Sequence, residues 1–146
     1  MKKILSMLLF LIAVNASYQL QAAEDDKPFA EERIVLQISD SDPFKQTLVL
    51  NVATNLIKHY GPDKVDVEIV AFGPGLRLMF KDNVNSSRIN GLASSGVRFA
   101  ACENTIAGMT KTLGHAPALH SSAVPVSAGV VRIIELENQG YKLIKP

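Results

Sequence analysis

Gly96-Val97-Arg98-Phe99-Ala100-Ala101-Cys102-Glu103-Asn104-Thr105-Ile106 runs from a turn glycine, through an apolar stretch, into residues that open a helix. The pattern predicts a strand over 97–101 and a helix over 103–113, with the chain's lone cysteine at the junction. In open α/β sheets, ligands bind outside the carboxyl ends of the strands. A helix that starts directly after such a strand adds unpaired N–H groups and a partial positive charge. Both favour the thiolate, which is the reactive form of cysteine. Cys102 is therefore the chief candidate functional residue, expected to be accessible and modestly more acidic than an ordinary thiol. Glu103 beside it opposes ionisation, and a side chain turned to solvent would be screened. The competing reading is a buried small hydrophobe, which free cysteine often is.

The same rhythm extends outward from this stretch. Residues 34–38 (Ile-Val-Leu-Gln-Ile) form the nearly continuous apolar run of a strand covered on both faces. Asp42 can cap the helix that follows, and Pro43 suits its first position. Over 43–60, Phe44, Leu48, Val52, Leu56 and Tyr60 recur every four residues, and Val49, Ala53 and Ile57 widen this into a core-facing stripe. Gly61-Pro62 stops the helix. A second strand over 65–72 alternates at first and is then fully apolar. It ends in Gly73-Pro74-Gly75, where glycine lets the backbone approach a neighbour or a ligand. Residues 76–80 read as helical or irregular, and 88–95 as a short helix. A short strand over 123–126 contains Pro125, which argues for an edge. A helix over 128–139 and a strand over 141–144 close the chain. This alternation predicts a three-layer α/β/α sandwich on a mostly parallel five-stranded sheet, and leaves the strand order open.

The N-terminus reads as a cleaved secretory signal over 1–23: Lys2 and Lys3, an apolar stretch of 4–14 broken by Ser6, then Ala16, Ala22 and Ala23 as cleavage positions. The apolar stretch is well short of the roughly 20 residues that span a bilayer. The expected product is periplasmic or secreted, with a flexible lead-in over 24–32 and one domain over 33–146. The whole chain has 15 Lys+Arg and 14 Asp+Glu; losing Lys2 and Lys3 leaves 13 against 14, a formal charge of −1. No basic face or run appears, which argues against nucleic acid. A single thiol cannot form an internal disulfide, although exported proteins often carry cysteines in pairs.

Other candidates are weaker. Gly73-Pro74-Gly75 lacks both the G-x-G-x-x-G spacing and a P-loop Lys-Ser/Thr, so a tight turn explains it better than a phosphate loop. It leaves the same sheet edge as Cys102 and can wall a pocket there. His115 and His120 read as surface histidines of a loop, and no spacing suggests a metal site. Asp40 and Asp42 are explained by helix capping. No nucleophile elbow surrounds Ser39, Ser41 or Ser121-Ser122. No cofactor is implied.

With strand, cysteine and helix in place, the chain resembles the DsrE/DsrF-like family, specifically its exported single-domain members. The residues that carry this are the opening strand 34–38, Val67-Glu68-Ile69-Val70-Ala71-Phe72-Gly73-Pro74-Gly75-Leu76, the Cys102 stretch quoted above, and Ala128-Gly129-Val130-Val131-Arg132-Ile133-Ile134-Glu135-Leu136 with Gln139-Gly140-Tyr141. The resemblance implies an α/β/α sandwich assembled as a trimer or hexamer. It also implies sulfur handling, with Cys102 accepting a persulfide sulfur from a donor protein or small thiol. The substrate side of such a site would comprise Gly73, Gly75, Asn104 and Thr105. The alternative is a non-catalytic small-ligand-binding or assembly module in which Cys102 is structural.

Overall fold

Asp42 Oδ1 accepts the Phe44 N–H at 2.8 Å and Pro43 takes the first helical position, so the first long helix starts where its cap dictates. The computed structural model describes residues 27–146, and the expected signal segment lies outside the described residues. In chain order the elements are β1 (Glu32–Ile38), α1 (Pro43–Tyr60), β2 (Val65–Ala71), a 3₁₀ helix (Gly73–Met79), α2 (Ser86–Ser94), β3 (Arg98–Cys102), α3 (Glu103–Leu113), β4 (Ala123–Val126), α4 (Gly129–Asn138) and β5 (Lys142–Ile144). Residues 27–31 are tied to the body, with Lys27 Nζ donating to the Pro62 carbonyl at 2.8 Å and the Glu31 N–H to that of Lys64 at 2.7 Å.

All strand pairs are parallel, in the order β4-β3-β2-β1-β5. The sheet has helices on both sides, giving three α/β/α layers. The first four strands step across the sheet in one direction. Right-handed crossovers then place α1, α2 and α3 on one face. From β4 the chain returns to lie beside β1, which puts α4 on the other face. The direction of travel therefore reverses at the carboxyl ends of β3 and β4, and Cys102 pairs there with Val126.

The two faces are filled differently. On the first, Leu36, Ile69 and Phe99 of the strands pack against Val49 and Leu50 of α1 and Ile89 of α2, all essentially inaccessible. Each such side chain contributes about 1.5–3 kcal/mol relative to exposure. On the second, Val35, Val70 and Ala100 meet Ile133, Leu136 and Tyr141, with Phe72 and Val126 packed at the side, and an ionic cluster lies next to them. Asp66 and Glu68 of β2 are buried. Arg98 donates to Asp66 Oδ1 at 2.6 Å, to Glu68 Oε2 at 3.0 Å and to the Tyr141 hydroxyl at 2.8 Å. Tyr141 in turn donates to Asp66, Arg33 lies 3.7 Å from Asp66, and Arg132 reaches Glu68 from α4. Burial opposes the charge on Arg98, but its contacts with Asp66, Tyr141 and Glu68 together outweigh this and raise its pKa.

Three expectations need correction. The buried line of α1 is Gln46, Val49, Leu50 and Ala53, while Phe44 is 71% exposed. The four-residue recurrence thus marks the flank of the stripe, and Gln46 is tolerated inside because it bonds Asn83 and the Ser41 carbonyl. His120 is buried rather than on the surface, since its Nδ1 accepts the Ser122 N–H at 3.1 Å and fixes the turn before β4. Gly73-Pro74-Gly75 opens the 3₁₀ helix instead of a free turn. Pro125 does lie on an edge strand, as its missing N–H requires.

Candidate functional site

Cys102 is the last residue of β3 and caps α3, with φ −67° and ψ 115°. Strand alternation puts it on the same face as Arg98 and Ala100, so it faces α4 as well as the start of its own helix. The Thr105 hydroxyl and the N–H groups of Gly129, Thr105 and Asn104 lie on the side of the sulfur where they favour its charged form, although the thiol makes no capping hydrogen bond to its own helix. They come from the first turns of two different helices, α3 and α4, at the point where the sheet connections reverse. Burial pushes the thiol pKa up, but the Thr105 hydroxyl and the three amides outweigh it, and the net shift is downward. Hydrogen bonds to the charged form act in this direction.

Each partner has a local cause. Thr105 Oγ1 accepts the Gly73 N–H at 2.8 Å, which leaves its own proton free for the sulfur. Gly73 sits at φ +53°, a left-handed conformation that glycine adopts without strain. Gly129 lies against Phe72: a Cβ there would be 2.9 Å from Phe72 Cβ and Cδ1, so only glycine brings the first amide of α4 this close. Gly75 belongs to a different contact, since a Cβ on it would stand 2.4 Å from the Ile38 carbonyl oxygen at the end of β1. Asn104 and Glu103 are exposed.

Of the residues singled out in the sequence, Gly73, Asn104 and Thr105 gather round Cys102. The thiol is less open than expected: Cys102 is 5% exposed, because α4 and Thr105 close over it. Gly129 was missed. The available signal was a glycine at the first position of a helix, where a side chain would ordinarily be better. The ionic layer of Asp66, Glu68, Arg98, Arg132 and Tyr141 was missed as well. A cleft of about 430 Å³, lined by Arg77, Phe80, Leu113 and His115, lies at the far end of α3, one helix length (roughly 15 Å) from the thiol.

No protein-family model and no curated protein matches the sequence. A solved structure does. The protein of unknown function MTH1491 from Methanobacterium thermoautotrophicum is 28% identical, with a TM-score of 0.70, over 80% of this chain and 100% of its own. The likeness covers all of that protein, so the compact α/β fold described above is shared as a whole domain.

Proposed function

We propose that the chain is a DsrE/DsrF-like sulfur carrier in which Cys102 accepts and passes on a sulfane sulfur. The observation that carries this reading is the place of Cys102, at the N-cap of α3 and beside the end of β4 from which α4 starts, with the Thr105 hydroxyl tied in by the Gly73 N–H. An ordinary buried cysteine needs no donors, because an S–H group is nearly apolar. A thiolate, or the terminal sulfur of a persulfide, needs several. In the proposed step the Cys102 thiolate attacks the outer sulfur of a donor persulfide. A new S–S bond forms to Cys102, the donor's S–S bond breaks, and its electron pair leaves with the donor as a thiolate that takes a proton. An acceptor thiolate then repeats the exchange on the Cys102 persulfide, so no external oxidant or reductant is consumed.

The setting proposed for this activity is periplasmic or secreted, on the strength of the N-terminal lysine pair, apolar stretch and small-residue cluster. A homo-oligomer, trimer or hexamer, is part of the same proposal. It is supported by the apolar side chains of Val130, Val131 and Ile134 on α4 and Val124 on edge strand β4, all left exposed. A second reading, a ligand-binding or assembly module with a structural cysteine, is favoured by the burial of Cys102 alone.

Mass spectrometry separates the two. Incubation with a persulfide donor such as glutathione persulfide should add about 32 Da, one sulfur atom, at Cys102 and nowhere else. The adduct should pass to an added thiol. No adduct under native conditions, with alkylation only after denaturant, would establish the structural reading instead.

A further inference from the structure

Arg132 is in the first turn of α4, three residues after Gly129. A cation there faces the positive end of the helix dipole and is disfavoured, and the first turn contains no acidic residue to offset it. Its pair with Glu135 one turn on, at 3.8 Å and half exposed, is a weak surface contact, so helix stability does not explain this arginine. Its partner does. Nε donates to Glu68 Oε1 at 2.7 Å and Nη2 to Oε2 at 2.9 Å, a two-pronged contact on a carboxylate that is almost fully buried in β2. Such a fork fixes orientation as well as distance.

The backbone of the same residue closes the same turn, its N–H donating to the Ala128 carbonyl at 2.9 Å. Side-chain clamp and Gly129 amide therefore belong to one rigid unit, about 4.5 Å apart along the helix axis. Two opposed restraints act on that unit. Phe72 blocks a closer approach, since there is no room for even one more carbon at Gly129. The Glu68 fork blocks withdrawal. The apolar contacts of Ile133 and Leu136 hold α4 against the sheet but carry little directional information.

We propose that Glu68 and Arg132 are positioning residues for Cys102: their paired contact sets the place of the first turn of α4, and with it the Gly129 N–H that faces the sulfur. The inference rests on the reading of Cys102 as a working thiolate. It assigns part of the ionic layer to the site, although neither residue touches the sulfur.

The test is the pH dependence of Cys102 alkylation by iodoacetamide in the full chain, for wild type, Arg132→Met, Arg132→Lys and Tyr141→Phe. Tyr141→Phe serves as the structural control, because it weakens the Asp66 end of the layer and leaves the fork intact. Arg132→Met should move the alkylation midpoint upward and slow labelling at neutral pH about two- to fivefold, the range expected for one helix-terminus interaction. Arg132→Lys keeps the charge but not the fork, and should recover part of the loss. Tyr141→Phe should lower the denaturation midpoint and leave the thiol profile where it was. Glu103, the charged neighbour on α3, is unchanged throughout. An unchanged profile in Arg132→Met overturns the proposal. So does full recovery in Arg132→Lys, which would assign the effect to charge alone, or an equal rise in Tyr141→Phe, which would make the effect one of general stability. Should Arg132→Met not fold, the Lys variant against wild type decides, since only a lost fork distinguishes them. A wild-type midpoint no lower than that of a free thiol would instead remove the thiolate reading on which the inference stands.

Discussion

Replacing Arg98 by Met removes the hub of the buried ionic layer while keeping much of the side chain's length. Three donors disappear at once: Nη1 to Asp66 at 2.6 Å, Nε to Glu68 at 3.0 Å and Nη2 to the Tyr141 hydroxyl at 2.8 Å. Glu68 keeps the Arg132 fork, so the damage concentrates on Asp66. That carboxylate has no exposed surface, and it is left with the Tyr141 hydroxyl and Arg33 at 3.7 Å. Breaking a buried pair by removing one partner costs about 3–5 kcal/mol. Domains of this size are stable by about 5–15 kcal/mol, so the loss should be a large fraction of the total. Urea denaturation should show a much lower midpoint with an unchanged slope, and the thermal midpoint should fall by roughly 10–20 °C. Matched removal of a buried pair is often tolerated, so Arg98→Met combined with Asp66→Val should recover part of the loss. A single-variant loss below about 1 kcal/mol would refute the argument, because it would mean that Asp66 is hydrated and does not depend on Arg98.

Thr105→Val should raise the Cys102 thiol pKa toward its ordinary value and strand the Gly73 N–H, costing about 1–2 kcal/mol. A depressed folded-state pKa contributes stability above the unfolded pKa that is lost as pH falls through the folded one. The gap between wild type and variant should therefore be larger at pH 9 than at pH 6, as read by urea midpoints; a gap that narrows with rising pH would reject the donor role of the hydroxyl. Gly75→Ala places a Cβ 2.4 Å from the Ile38 carbonyl oxygen, so backbone must move, and a loss of about 1–3 kcal/mol or more is expected. A neutral effect in calorimetry would show that β1 and the 3₁₀ helix are not held at this separation. Asp42→Ala removes the cap of α1 and should cost about 1 kcal/mol, with Asp42→Asn restoring most of it in the same assay.

Local chemistry made much of the fold legible. The bounds of α1, α3 and β4 follow from signals carried within a few residues: the Asp42-Pro43 start and Gly61 stop of α1, Gly114 after α3, and Pro125 in an edge strand. Cys102 was legible for the same reason, as the join between a strand and a helix. The second face was not. Asp66 and Glu68 alternate with valines, which in isolation reads as a strand with one wet side. Their partners Arg98, Arg132 and Tyr141 stand 30 to 75 residues away in the chain, and only the sheet order brings them together. One clue was present: a central strand of a parallel sheet is covered on both faces, so carboxylates on β2 had to be paired with something. Gly129 escaped for a related reason, since its closeness to Phe72 and Cys102 depends on which side of the sheet α4 takes.

The return of the chain from β4 across the sheet has a consequence for vectorial synthesis. A nascent chain emerging from the ribosome as far as residue 127 already holds four adjacent strands and the three helices of the first face. Asp66 and Glu68 then still lack Tyr141 and Arg132, and the Cys102 sulfur lacks the Gly129 amide. The segment 128–144 supplies all three together, so closing the second face and finishing the thiol's surroundings are one event. Until it happens, the intermediate displays Val35, Val70 and Ala100 as an open apolar strip beside two carboxylates held by Arg98 and Arg33 alone, a surface on which general chaperones act.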